Sequence, residues 1–196
     1  MAVVVFITHP EVVIDPLVPV PDWALSPKGL ERMEAFCAHD FVGRISRVFA
    51  SAERKARDGA EVIAAHLGLD VEIDADLGEN DRSSTGYLPQ AEFFAVARQF
   101  FAEPEVSVRG WERAVDAQRR IVDTVERIAD RHADDCIAMV SHGGVGTLLM
   151  CHLRGQPISL KLKPPAPEGG CAFAFETRSG EIIANWVRVE EPLMLP

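Results

Sequence analysis

Three stretches of the sequence place reactive side chains directly after apolar runs. "VVVFI" leads into Thr8-His9-Pro10-Glu11, "RVFA" into Ser51 and then Glu53, Arg54 and Lys55, and "CIAMV" into Ser141-His142-Gly143-Gly144. If the apolar runs are strands of an open α/β sheet, their carboxyl ends are where ligands bind. Two histidines, two adjacent cations and a glycine turn opening a helix would then meet at one edge. That set suits a phosphoryl group: donors and positive charge for its oxygens, and free amides at a helix start.

The elements that must position these residues are readable in the patterning. Ala2 to Ile7 is continuous and β-branched, as expected of a strand covered on both faces. A proline-rich loop follows, "PEVVIDPLVPVPDW", and then a helix with Ser26 as N-cap and Pro27 in its first position. "RVFAS" predicts a short strand, "ARDGAEVIAAHLG" a helix closed by Gly68, and "DVEID" a further strand. Two helices are expected over 89–103 and 110–133, the second with Ala114, Ile121, Val125 and Ile128 on one face. The run 136–141 predicts the strand that ends at His142, and "CAFAFE" with "EIIANWVRV" a hairpin across Ser179-Gly180. Strands alternating with helices and closed by a hairpin indicate an α/β three-layer sandwich with a mostly parallel central sheet. No repeat, low-complexity tract or linker divides residues 1–196, so a single domain is expected.

Composition narrows the function. With 196 residues, 47% hydrophobic and 26% charged, the chain can bury a full core. A formal net charge of −10 opposes nonspecific nucleic-acid binding, which needs a basic footprint. Cys37, Cys136, Cys151 and Cys171 form no C-x-x-C pair and no metal-like spacing with histidine, and read as reduced thiols. The N-terminal apolar run is too short for a signal peptide or a membrane span. A cytoplasmic protein with no membrane contact, no metal and no cofactor is expected.

Taken in order, these motifs resemble those of the histidine phosphatase superfamily, which includes the phosphoglycerate mutases. The family's R-H-G-E is matched by Thr8-His9-Pro10-Glu11, and L-T-x-x-G-x-x-Q-A by "LSPKGLERM". S-P-x-x-R-A-x-x-T-A-E is matched by "SAERKARDGAE", L-x-E by Leu77-Gly78-Glu79, and S-H-G-G without change by Ser141 to Gly144. The resemblance runs over roughly residues 2 to 155, and implies a phosphoglycerate mutase-like fold and phosphoryl transfer through a phosphohistidine.

On that resemblance His9 is the nucleophile, attacking through a neutral ring nitrogen while its other nitrogen is held by a hydrogen bond. Glu79 protonates the leaving oxygen and then deprotonates water, and His142 stabilises charge on the equatorial oxygens. Thr8, Lys55, Arg54, Gly143 and Ser51 are the implied phosphate contacts, and the implied partner is a small phosphorylated substrate or inorganic phosphate. Thr8 and Lys55 stand where the family has arginines, and Pro10 where it has glycine. Lysine is a point charge and no substitute for the guanidinium fork.

Other readings compete at several positions. Asp81 is an alternative to Glu79 as the acid, Arg54 to Lys55 as the phosphate cation, and Ser51 would serve equally as a helix cap. His39, His66, His132 and His152 fall on or near helices and read as surface or satisfied residues. Trp23 and Trp111 either line the mouth of the site or pack loops, and segments 12–24 and 79–90 are expected to shape its entrance. A phosphoester-binding protein without turnover is the alternative to a hydrolase. A mutase ranks lower, because segment 83–103 is acidic where a phosphorylated sugar acid would want cations.

Overall fold

The computed structural model describes residues 2–195. Six strands form one sheet: β1 (Val3–Thr8), β2 (Arg47–Ala50), β3 (Val71–Ile73), β4 (Cys136–Ser141), β5 (Cys171–Glu176) and β6 (Ile182–Arg188). Their order is β3-β2-β4-β1-β5-β6. The first four run parallel, while β5 and β6 are antiparallel additions on the β1 side. The sheet is therefore mixed and mostly parallel, as the alternation of strands and helices implies.

Side chains of successive residues leave opposite faces of a strand, and both faces here are apolar. Val5, Ile7, Val48, Ala50, Ala138 and Val140 pack with α1 (Pro27–Cys37) and α2 (Arg54–Leu67) on one side. Val4, Phe6, Phe49, Ile137 and Met139 pack with α4 (Ala114–Arg131) and α5 (Gly143–Leu153) on the other. Near-continuous hydrophobic strands follow directly from this double coverage. A third cluster joins α3 (Gln90–Ala102) to Val108, Trp111 and the start of α4.

Local rules account for most element ends. Ser26 caps α1 through its hydroxyl, which accepts from the Gly29 amide at 3.0 Å, and Gly68 closes α2 in the left-handed region at φ 68°. The fourth helix begins at Ala114, not at residue 110 as its periodicity predicts. Arg109 and Gly110 both adopt positive φ just before it, and the Trp111 indole is committed to the Thr85 hydroxyl at 2.9 Å. Tertiary contacts thus remove 110–113 from an otherwise helical pattern.

Strand register is what builds the site. Thr8 on β1 pairs with Ser141 on β4, and Ala50 on β2 pairs with Val140. The residues after each strand are tied as well: the amides of His9 and Ser51 donate to the carbonyls of Ser141 and Val140, at 3.1 and 3.0 Å. His9, Ser51 and His142 therefore leave three neighbouring strands at nearly one level.

Candidate active site

The His9 ring lies edge-on to the His142 ring, with centroids 5.2 Å apart. His9 Nδ1 is 2.9 Å from the Pro10 carbonyl, which can only accept, so Nδ1 carries the proton. Nε2 is then a bare nitrogen with no partner among the described residues. Burial, joined by the charge of Lys55, lowers the His9 pKa to about 4 despite the Pro10 contact and Glu53. At neutral pH the imidazole is uncharged and its Nε2 lone pair is free. Proline at position 10 removes an amide donor, but its carbonyl keeps the contact that fixes the tautomer.

The His9 backbone is clamped too. Its carbonyl accepts from Gly170 at 3.0 Å, and a Cβ on Gly169 (φ 79°) would lie 2.2 Å from that oxygen. Glycine is required here for conformation and for close approach. Behind it lies Arg32, 2% exposed, which pairs with Glu11 and Glu190 and donates to the Gly170 carbonyl. Arg32 thus ties Glu11 and the Gly170 turn to α1. Its place on the buried face, three residues from Gly29 and four from Phe36, was a signal available in the sequence.

His142 is fully buried, its Nε2 2.8 Å from Ser51 Oγ and 3.3 Å from Glu53 Oε1. The carboxylate beside it places the proton on Nε2, and Nδ1 has no partner among the described residues. Burial pushes its pKa well below the usual histidine range, with Glu53 opposing. His142 is thus a neutral ring with an Nε2–H donor toward the Ser51 and Glu53 side.

Lys55 lies in the same cluster, 2% exposed, donating to the Val20 carbonyl at 2.9 Å and to Glu53 Oε2. Glu53 is the counter-ion that joins Lys55 to His142, a role its place in the sequence did not by itself suggest. Its Oε1 also accepts from the Glu79 amide at 3.1 Å. Burial opposes its ionisation, but the neighbouring His142, the Lys55 charge, and hydrogen bonds from Lys55 and the Glu79 amide hold its pKa down at about 2. The visible signal was its position two residues before Lys55, where the chain turns into α2.

Glu79 reaches the start of α5. Its carboxylate accepts from the amides of Gly144 and Val145 at 3.0 and 2.9 Å, an anion at a helix N-terminus. A Cβ on Gly144 would sit 2.5 Å from Glu79 Oε1, so the second glycine of S-H-G-G makes room for this carboxylate. The Gly143 amide has no acceptor among the described residues. Asp81 instead accepts from Ser83 within its own loop.

Two expected contacts do not join the cluster. Thr8 is buried and exchanges hydrogen bonds with Cys171, its hydroxyl accepting from the amide at 3.0 Å and donating to the carbonyl at 3.3 Å. It ties β1 to β5 rather than facing the histidines. Arg54 is 55% exposed along its side chain, with Asp58 as its partner at 4.0 Å. One helical position separates it from Lys55, and it falls on the solvent side.

A second missed residue compensates in charge. Arg82, in the 79–90 loop, lays its guanidinium over the Phe93 ring at 4.9 Å, and its charge is felt at both His9 and His142. It has no carboxylate partner among the described residues. The loop holding it is fixed to the body by Asp81 with Glu112 and by Thr85 with Trp111. Trp23 contacts Tyr87 at 5.7 Å, joining the 12–24 and 79–90 segments, while its indole N–H is spent on its own loop. Trp111 is buried and packs the α3 roof.

The four remaining histidines take no part in the cluster. His39 bonds the Val189 carbonyl and His132 pairs with Asp135, while His66 and His152 lie on helices. A recess of about 300 Å³ lined in part by Val125, Glu126, His152 and Arg178 shares no residue with the histidine cluster.

A neutral, oriented histidine facing a second histidine, beside cations and the first turn of a helix, suits the chemistry of a phosphoryl group. The histidine phosphatase superfamily (branch 1) model matches residues 15–183. The chain belongs to that superfamily. The matched span holds Lys55, Glu79 and His142 and begins after His9.

Phosphoglycerate mutase-like protein 4 of Arabidopsis thaliana is 29% identical over 127 residues, 61% of this chain and 54% of that protein. The chain thus spans about half the length of that curated relative. Among solved structures, Bacillus stearothermophilus YhfR superposes with a TM-score of 0.73 at 21% identity, covering 93% of this chain and 94% of that one. A mycobacterial glucosyl-3-phosphoglycerate phosphatase with inorganic phosphate gives 0.71 at 22%, covering 98% and 95%. Phosphoserine phosphatase of Entamoeba histolytica with 3-phosphoglyceric acid gives 0.75 at 14%, covering 97% and 100%. At these identities the likeness is one of fold, the phosphoglycerate mutase-like three-layer sandwich. No helix among the described residues is long and apolar enough to cross a membrane.

Proposed function

We propose that the protein is a phosphomonoester hydrolase that works through a phosphorylated His9 on a small phosphorylated substrate. The observation that carries this reading is the His9 ring itself: Nδ1 is fixed on the Pro10 carbonyl, and Nε2 is free in a neutral imidazole beside His142. The Nε2 lone pair attacks phosphorus as the bond to the leaving oxygen breaks. Glu79, carrying a proton once the substrate is bound, gives it to that oxygen and, as the carboxylate, takes one from the water that attacks the phosphohistidine and releases phosphate. The His142 Nε2–H, Lys55, Arg82 and the Gly143 amide serve the phosphoryl oxygens. Each such donor is worth ~10²–10³ in rate when it is aimed at developing charge. The route draws on no metal or cofactor, since the nucleophile is already neutral. The four unpaired cysteines support a reducing, cytoplasmic setting.

Turnover of a generic aryl phosphate tests the proposal, with wild type and His9→Ala measured with and without chelator. Wild type is expected to release phenol in both conditions and His9→Ala in neither. Equal background from both proteins ends the hydrolase reading.

Glu53 favours a second reading, a phosphoester-binding protein without turnover, because it already holds Lys55 and His142. That protein would gain thermal stability with inorganic phosphate yet never carry a phosphohistidine.

A further inference from the structure

Two groups assigned to the phosphoryl oxygens already face a carboxylate of the chain. Glu53 Oε1 lies 3.3 Å from His142 Nε2 and Oε2 accepts from Lys55, while the side chain is only 16% exposed. The residue is anchored where it stands. Its own amide donates to Ser51 Oγ at 3.2 Å, and its Oε1 takes the Glu79 amide. The other titratable and charged groups around it are His9 at the end of β1, His142 at the start of α5, Lys55 on α2, and Glu79 and Arg82 from the following loop.

An oxyanion placed against Lys55 and His142 therefore meets a carboxylate at the same donors. A fully deprotonated oxygen sets lone pair against lone pair, a repulsion with no hydrogen to relieve it. An oxygen that keeps its proton donates it to the carboxylate, and the contact becomes a charge-assisted hydrogen bond. We infer that Glu53 is a specificity-determining residue that selects an oxyanion that keeps a proton, hydrogen phosphate or a phosphomonoester monoanion, ahead of sulfate or a fully deprotonated phosphomonoester. The inference rests on the phosphoryl-site reading above and adds the ionisation state of its ligand. Glu53 stays ionised down to about pH 2, so the pH dependence belongs to the ligand. A phosphomonoester loses its second proton near pH 6, whereas sulfate carries none across the range.

Isothermal titration calorimetry of the full chain with inorganic phosphate, sulfate and phenyl phosphate, from pH 5 to 8, tests this. Hydrolysis of phenyl phosphate is avoided by using His9→Asn for that ligand alone. Wild type should bind phosphate about tenfold or more tighter than sulfate, and phenyl phosphate should weaken about tenfold as it becomes a dianion. In Glu53→Gln, sulfate should gain about tenfold and the pH dependence should flatten. Equal affinity of wild type for phosphate and sulfate overturns the inference, even if Glu53→Gln does not fold. So does an unchanged ratio in a folded Glu53→Gln, or the absence of binding by every anion. Selection of phosphate with no phosphorylated His9 on quenching aryl phosphate reactions keeps the inference and removes the hydrolase. Phosphorylated His9 without selection does the reverse.

Discussion

Lys55→Met tests how the charges of the site are balanced. The Lys55 side chain is 3% exposed and its Glu53 partner 16%, so solvent does little to screen the pair. Methionine keeps the volume and removes both donations, leaving Glu53 with a neutral His142 and the Glu79 amide, and the Val20 carbonyl without its donor. Breaking a buried ion pair from one side costs 3–5 kcal/mol, and the partial access of water to Glu53 sets the expectation at about 3 kcal/mol. Glu53 is depressed to about 2 from 4.5, so its contribution is complete above pH 4.5 and is lost as pH falls through 2. The deficit of Lys55→Met is therefore largest at neutral pH and shrinks as pH falls from 4.5 toward 2, where Glu53 becomes protonated and no longer needs a cation. Lys55→Met with Glu53→Leu removes both charges and should recover more than half of the loss. Urea unfolding of the wild type, the two single variants and the double variant, at pH 7 and pH 4, closes the cycle. A loss below about 1 kcal/mol at pH 7, or no coupling between the two sites, refutes the claim that Lys55 and Glu53 form a buried ion pair.

Three other substitutions probe separate links. Thr8→Arg restores the residue common in the family, yet it must bury a guanidinium and orphan the Cys171 amide; thermal melts should show a loss of at least about 2 kcal/mol, and aryl phosphate assays no gain in rate. Arg82→Ala should weaken phosphate binding about tenfold in calorimetry with little change in melting temperature, since its guanidinium has no carboxylate partner among the described residues. His9 protonates near pH 4 in the fold against 6.5 ordinarily, so its share of stability is complete above pH 6.5 and declines as pH falls toward 4. Urea unfolding should therefore show wild type losing about 3 kcal/mol more than His9→Gln over that interval.

The architecture was legible because its causes are local or periodic. Apolar strands, a capped helix at Ser26 and an unbroken S-H-G-G run each carry their reason in neighbouring residues, and their order identified the superfamily. His9 and His142 were legible for the same reason, as strand-end residues whose meeting requires only parallel pairing of β1 with β4. What stayed hidden depends on which way a side chain turns. Thr8 and His9 are adjacent, but strand alternation sends Thr8 to the β5 backbone. Arg54 and Lys55 are adjacent, but helical rotation sends Arg54 to solvent. Glu53 was obscured because a phosphate site calls for cations, whereas the buried lysine needed a counter-ion and the nearest carboxylate supplied it. Arg82 belongs to a loop fixed by distant residues, Glu112, Trp111 and Phe93, which no local pattern reports.

The central claim is that His9 Nε2 is a nucleophile toward phosphorus, and the direct measurement is the covalent state of His9 during turnover. Wild type mixed with an aryl phosphate, quenched in alkali within the first turnover and digested, should yield a peptide carrying one phosphoryl group on His9, absent from His9→Ala and lost on acid treatment. Release of phenol from wild type with His9 unmodified at every quench time would contradict the account.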